Sequence, residues 1–397
     1  MQAFPLEFLL FALTLLGVAL FHRRTLQVAL TGLGAIVLYK LAVTGFATGP
    51  GVAGLGLHFA HKWAILANLL LLLTGFALLS RHFEESRVPD AVVPLLPSGW
   101  LGGATLLGLV FVLSSFLDNI AAAVIGATMA GVVFRHRVHI GYLAAIVASA
   151  NAGGAGSVLG DTTTTMMWIA GVPAFSVLDA FVASIAAFLV FSVPASMQQH
   201  RHSPILPAAT APAPVDWLRV LVVAAVLLAA LGANLAVNRL APNWGERLPI
   251  LGLTVWAALL IMAPVRRPDW AVLPEAAKGS VFLLSLVASA SLMPVNQLPA
   301  PSWASAFGLG FLSSVFDNIP LTALALKQGG YDWGVLAFAV GYGGSMVWFG
   351  SSAGVAVSNI YPEAKSVGQW IRAGWAIPLG YVIGFFVMLG LMGWHPA

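Results

Sequence analysis

Cysteine is absent from all 397 residues, so disulfides, thiolate nucleophiles and iron–sulfur ligation are closed to this chain. Charge is almost as scarce. Only 8% of residues are Asp, Glu, Lys or Arg, 59% are hydrophobic, and mean hydropathy is +0.93. That composition excludes a soluble or nucleic-acid-binding role and leaves a polytopic membrane protein with the lipid bilayer as its solvent. The formal charge of +4 then reads as Lys and Arg kept on cytoplasmic loops. The N-terminal segment has neither a basic lead-in nor a small-residue cleavage site, so Pro5 to Phe21 is expected to be a retained first helix.

Acids are rare inside the apolar runs, and three stand out there. Asp118 lies in Leu101 to Phe134, which holds no Lys, Arg, Glu or other Asp. A carboxylate at bilayer depth costs several kcal/mol unless it is protonated, paired or coordinating a cation. Its hexad, Ser114 to Asn119 (SSFLDN), recurs as Ser313 to Asn318 (SSVFDN), 199 residues later and close to half the chain length. Glycine-rich breaks follow both. GGAGSVLGD, Gly153 to Asp161, matches GGSMVWFGS, Gly343 to Ser351, so Asp161 answers to Ser351 and the halves are chemically unequal.

Spans of roughly 20 apolar residues give Pro5 to Phe21, Thr25 to Phe46 and about His58 to Ser80, then a run over about 99–134 too long for one crossing. Basic residues flank that run on both sides, which predicts a re-entrant hairpin with Asp118 and Asn119 at its tip. A discontinuous helix over about 140–170 and a span from Pro173 to Met197 complete the first half. A Pro- and Ala-rich cytoplasmic linker, 198–215, separates it from the second. Helices from about Trp217, Pro249 and Gly279, a hairpin over about 302–327, a broken helix over about 334–360 and a span from Trp370 to Met392 repeat the order. The expected fold is an all-α polytopic membrane protein of two repeats, 1–197 and 216–397, each with five spans, one discontinuous, and one hairpin. The odd span count inverts the second repeat and puts both termini outside a bacterial-type inner membrane.

Oxygen ligands suit hard cations. Asp118, Asn119, Asp161, Asp317 and Asn318 are the candidate ligands for sodium and the proton, supported by Ser114, Ser314, Thr162, Thr163 and Ser351. Gly153, Gly154, Gly343 and Gly344 free backbone carbonyls at the breaks. No Lys or Arg lies near these positions in sequence, which disfavours an anionic substrate. Removal from water favours a protonated carboxyl and a bound cation favours an ionised one, so proton and sodium compete for the same oxygens and exchange follows. No cofactor and no enzymatic activity are implied. For Asp161 the plainer reading is a cap on the second half-helix, and threonine hydroxyls in membrane helices often bond back to the preceding turn. Lys40 is expected to snorkel to the interface, with structural pairing as the alternative. His58, His61 and Lys62 are expected among the headgroups, and Trp217, Trp333 and Trp370 as interfacial anchors.

The segments SSFLDN, ANAGGAGSVLGDTTTTMMWIAG, VFDNIPLTA and GYGGSMVWFGSSAGV resemble the signature segments of NhaD-type sodium/proton antiporters, within the ion transporter superfamily that also holds citrate, dicarboxylate and arsenite carriers. The likeness covers both hairpins and both broken helices, roughly a third of the chain. It implies a scaffold domain that forms a homodimer, a mobile transport domain, export of sodium or lithium, and proton uptake. It carries roles onto Asp118, Asn119, Asp161, Thr162, Thr163, Asp317 and Asn318. The chain departs from the pattern in the first break, where Gly156 and Val158 stand in place of an aromatic and a proline, and ion selectivity is what that departure touches. A sodium-coupled citrate or dicarboxylate carrier and an arsenite exporter share the layout, and two intramembrane aspartates are also the requirement of a membrane protease dyad.

Overall fold

The computed structural model describes residues 5–21, 24–88, 91, 95–205, 214–240, 244 and 247–397. In chain order the helices are α1 (Leu6–Leu20), α2 (Thr25–Tyr39), α3 (Gly51–Glu85), α4 (Trp100–Ser114), α5 (Asn119–Val133) and α6 (Ile140–Ala155). Next come α7 (Thr162–Ile169), α8 (Ala174–Leu178), α9 (Ala180–His202), α10 (Trp217–Leu240), α11 (Ile250–Met262) and α12 (Leu273–Ser291). The last are α13 (Trp303–Ser313), α14 (Asn318–Gln328), α15 (Trp333–Gly343), α16 (Ser352–Ile360), α17 (Val367–Ala373) and α18 (Ala376–Met392). Among the described residues four stretches, Thr25–Thr44, Gly51–Glu85, Ala174–His202 and Trp270–Ser291, are long and apolar enough to cross a bilayer. The protein is an all-helical, polytopic membrane protein. Eight residues of the linker, 206–213, lie outside the described residues, and α9 extends into its first part as far as His202.

The chain divides into two compact units that cut across the two halves of the sequence repeat. One unit comprises Met1–Glu85, Trp217–Pro299 and Leu326–Gln328. Its longest helix is α3, whose 35 residues extend about 50 Å at 1.5 Å each, well beyond the ~30 Å hydrocarbon core. The helix therefore runs past both ends of the span expected from hydropathy. Asn68, buried within it, accepts from the Gly252 backbone N–H at 2.6 Å and so satisfies a donor in the first turn of α11. At its C-terminal end Arg81 pairs with Glu84 at 3.0 Å and Asp269 at 3.2 Å, and Arg219 reaches Glu85 at 2.7 Å.

Lys40 does not snorkel. It opens a π-helical turn, Lys40–Thr44, after α2, and its Nζ lies 3.8 Å from Glu7 Oε1, with both side chains more than nine-tenths buried. An ammonium that cannot reach water needs a counter-charge, and Glu7 in the first turn of α1 supplies it. His58, at the start of the expected span, turns inward. It is buried, and its Nε2 sits 2.9 Å from the Ser291 hydroxyl at the end of α12.

The other unit comprises Ser86–Asp216, Ala300–Ala325 and Gly329–Ala397. Two helices, α6 and α15, are buried along nearly their whole length: every residue from Gly141 to Ala155 and from Trp333 to Gly343 is enclosed. A helix apolar all round belongs in the middle of a bundle, and small residues on α6 let neighbours approach closely. Aromatic rings fill the space beside α15, with Phe338, Tyr342 and Tyr381 stacked within 18° of parallel. The expected span from Trp370 to Met392 is broken: α17 and α18 meet at 60°. Trp370 is no interfacial anchor, being fully buried with its indole N–H donating to the Ser345 carbonyl at 3.1 Å. Trp333 is buried too, whereas Trp217 is 71% exposed.

Candidate functional site

Both hexads form tight turns between two short helices, and each aspartate caps the second helix. Asp118 takes φ −51° and ψ 138° and accepts from the Ile120 N–H at 3.1 Å. Asp317 takes φ −50° and ψ 141° and accepts from the Ile319 N–H at 3.0 Å. A side-chain acceptor at this position satisfies one of the four orphan donors of a helix start, and the helix dipole favours negative charge there. Local chemistry thus explains why each carboxylate sits at the turn. It does not neutralise the charge, and among the described residues none of Asp118, Asp161 and Asp317 makes an ion pair.

The glycine-rich breaks behave alike. The first runs from the end of α6 to Asp161, which caps α7 by accepting from the Thr163 N–H at 3.0 Å. In the second, Ser351 caps α16 by accepting from the Gly354 N–H at 3.2 Å. Glycine is required for packing here. A Cβ at Gly153 would overlap the Phe111 carbonyl oxygen and one at Gly160 the Ser114 carbonyl oxygen, and Gly343 and Gly350 meet the Gly310 and Ser314 carbonyls in the same manner. Serine hydroxyls fasten each hexad to its break. Ser114 donates to the Ala150 carbonyl and Ser313 to the Val340 carbonyl, both at 2.6 Å. Ser313 is the counterpart of Ser114, as the hexad alignment has it, while the hydroxyl of Ser314, the supporting residue named from sequence, bonds back to the Phe311 carbonyl.

Polar side chains then cross between these elements. Asn119 Nδ2 donates to Asn151 Oδ1 at 3.0 Å, and Asn151 Nδ2 donates to the hydroxyls of Ser345 at 3.0 Å and Ser351 at 3.1 Å. Asn318 Nδ2 points at Asp161 Oδ2 from 3.4 Å, and the Ser352 hydroxyl donates to Asp317 Oδ2 at 3.1 Å. Asp161 is 2% exposed and lies within electrostatic reach of both Asp118 and Asp317. The three carboxylates do not merge into one cluster: no group of three His, Asp or Glu residues able to hold a metal ion occurs among the described residues. The Thr163 hydroxyl is buried beside Asp161 without meeting hydrogen-bond geometry to any partner. Its neighbours Thr164 and Thr165 are occupied, donating to the Ser157 and Val158 carbonyls freed by the break.

No family profile matches the chain. Curated proteins do. Sodium/proton antiporter 1 of Arabidopsis thaliana is 26% identical over 408 aligned residues, which cover 92% of this chain and 69% of that protein. The Na(+)/H(+) antiporter NhaD of Vibrio cholerae is 26% identical over 83% of this chain and 79% of its own length, and that of Vibrio parahaemolyticus 27% over 75% and 83%. The chain is related to the NhaD-type sodium/proton antiporters. These relatives span most of the chain, whereas the motifs that carry the resemblance cover about a third of it.

Within this NhaD-like chain, Asn151 is the site residue that sequence reasoning passed over, together with Ser345 and Ser352. A signal existed. Extending the aligned breaks by two residues sets Asn151 against Gly341, and a Cβ at Gly341 would come within 3.3 Å of Asp161 Oδ2. The two polar groups peculiar to the first half, Asn151 and Asp161, therefore face Ser351 and the space left by Gly341 from the second.

Proposed function

We propose that the protein is a secondary transporter that exchanges sodium or lithium for protons by alternating access, and that Asp118, Asp161 and Asp317 carry cation and proton in competition. The observation that carries this reading is a set of three carboxylates without a basic partner, each at the N-terminus of a half-helix and two of them cross-linked to polar side chains on other elements. The relatives' names point the same way. Asn119, Asn151, Asn318, Ser351 and the buried Thr163 hydroxyl beside Asp161 supply neutral oxygens beside the acids. Sodium takes such mixed carboxylate and carbonyl-type ligands, and a site without ammonium or guanidinium groups repels the anions that a citrate carrier must hold.

Topology follows in the same reading. At 15, 15, 11 and 11 residues, α4, α5, α13 and α14 are each too short to cross the hydrocarbon core, so the two helix pairs are re-entrant hairpins that enter from opposite faces of inverted repeats, 1–197 and 216–397. Capped half-helices at their tips hold the ion near mid-membrane. The unit that contains all three aspartates is the transport body, and the unit of α1–α3 and α10–α12 is the scaffold through which two copies pair.

The test is dissipation of a pH gradient in proteoliposomes on addition of sodium, lithium, potassium or citrate. Sodium or lithium collapses the gradient and citrate does not. A silent response to all three cations with sodium-dependent citrate uptake would replace the exchanger with a carrier of organic acids.

A further inference from the structure

A second polar site occupies the aspartate-bearing unit, and none of the three aspartates lines it. It is an open cleft of about 650 Å³ bordered by His136, Arg137, His139, His202, Glu363 and Arg372. Two guanidinium groups face one carboxylate, so the cleft has surplus positive charge. Histidine adds directed donors. His139 Nδ1 accepts from the Gly141 N–H at 3.2 Å to cap α6, which commits its lone pair and leaves the ring proton on Nε2. Burial and the His202 ring 5.4 Å away keep His139 below its ordinary pKa.

The cleft is also rigidly built. Arg135 and His136 both hold left-handed backbone, φ 53° and 58°, a conformation that non-glycine residues keep only when their surroundings impose it. The surroundings are the His136 N–H donating to the Gly131 carbonyl at 2.7 Å and the buried Gln199 side chain, which accepts from the His139 N–H at 2.7 Å and donates to the Arg137 carbonyl at 3.1 Å. Next to the cleft lies α17. Its Arg372 and Gln369 line the cavity while Val367, Ile371 and the following Trp375 are 40%, 44% and 50% exposed. A short helix that turns apolar side chains outward and a guanidinium toward a polar cavity, before bending 60° into α18, has the character of a membrane-interface element.

We propose that this cleft binds the phosphate of an anionic phospholipid, with Arg137 and Arg372 as charged donors, His139 Nε2–H as a further donor, and the acyl chains lying along Val367, Ile371 and Trp375. Free phosphate offers the same headgroup chemistry without the apolar part. The site is independent of the ion-exchange reading, since it rests on different residues.

Native mass spectrometry of the full-length protein in uncharged detergent tests it, with phosphatidylglycerol, phosphatidylcholine and inorganic phosphate as probes. Phosphatidylglycerol binds and phosphatidylcholine does not. Removing two cations, each worth about fivefold near an anionic headgroup, weakens phosphatidylglycerol binding by about 25-fold in R137Q/R372Q. The equally discharged R266Q/R267Q stays within twofold. Glu363→Gln, which removes the opposing carboxylate and leaves the arginines in place, tightens binding about fivefold and gives a reading even if the double variant fails to fold. Displacement of phosphatidylglycerol by millimolar phosphate supports recognition through the phosphate. Equal binding of both lipids, equal losses in the two double variants, or saturation by phosphate with no lipid bound would overturn the proposal.

Discussion

Replacing Asp161 with asparagine is expected to leave a folded protein that no longer exchanges sodium for protons, a loss of at least about 100-fold, or about 2.7 kcal/mol. Fold is retained because asparagine caps a helix as well as aspartate does, so the bond from the Thr163 N–H to Oδ1 survives. Exchange is lost for two reasons. An amide cannot take up and release the proton, and its NH₂ would meet the Asn318 amide across a gap of 3.4 Å, donor against donor, where a carboxylate oxygen now sits. Proteoliposome assays beside a thermal unfolding profile separate the two effects. Full exchange in Asp161→Asn would reduce this residue to a helix cap, the local role that Ser351 plays at the start of α16.

A second large effect is structural. In Gly160→Ala the new methyl group overlaps the Ser114 carbonyl oxygen and stands 2.9 Å from the Gly154 Cα. Both obstacles are backbone, so no side chain can turn aside. Overpacking of a close-packed interior costs about 1–3 kcal/mol, and a backbone collision belongs at the upper end. The expected result is about 3 kcal/mol of lost stability and the loss of exchange with it. Gly308→Ala is the control: it lies in α13, it has nothing within 4 Å of the added carbon, and it is expected to gain about 0.5–1 kcal/mol from helix propensity. Equal stability of the two variants, followed by fluorescence-detected size exclusion after heating, would show that the first break does not pack against α4 as described.

Much of this architecture was legible in the chain because repetition carries geometry. Two hexads 199 residues apart and two glycine-rich breaks in the same order located the capped turns and the interrupted helices. What the chain did not reveal depends on neighbours remote in sequence. Lys40 looked like a snorkelling residue because Glu7 lies 33 positions earlier, and nothing linear says that α1 returns beside the end of α2. Asn151 escaped notice because it precedes the glycines that define the break, and its partners come from two remote elements, Asn119 from α5 and Ser345 and Ser351 from the second break. Trp370 had the company of Arg372 and the position of an interfacial anchor, yet the bend between α17 and α18 turns its indole inward to a carbonyl. Nor does the sequence say that Asn318, next to Asp317, turns its amide toward Asp161, or that Ser352 donates to Asp317.

Competition between sodium and the proton for the same carboxylate oxygens is the centre of the account, and it has a direct kinetic signature. The measurement is the sodium concentration that half-saturates proton release from proteoliposomes, taken at successive pH values. If one proton must leave before one sodium binds, that concentration rises about tenfold for each unit the pH falls through the range where the carboxyls protonate, while the maximal rate reached at saturating sodium stays constant. A half-saturating concentration that does not move with pH, with the maximal rate falling instead, would place the proton on groups other than the sodium ligands and contradict the account.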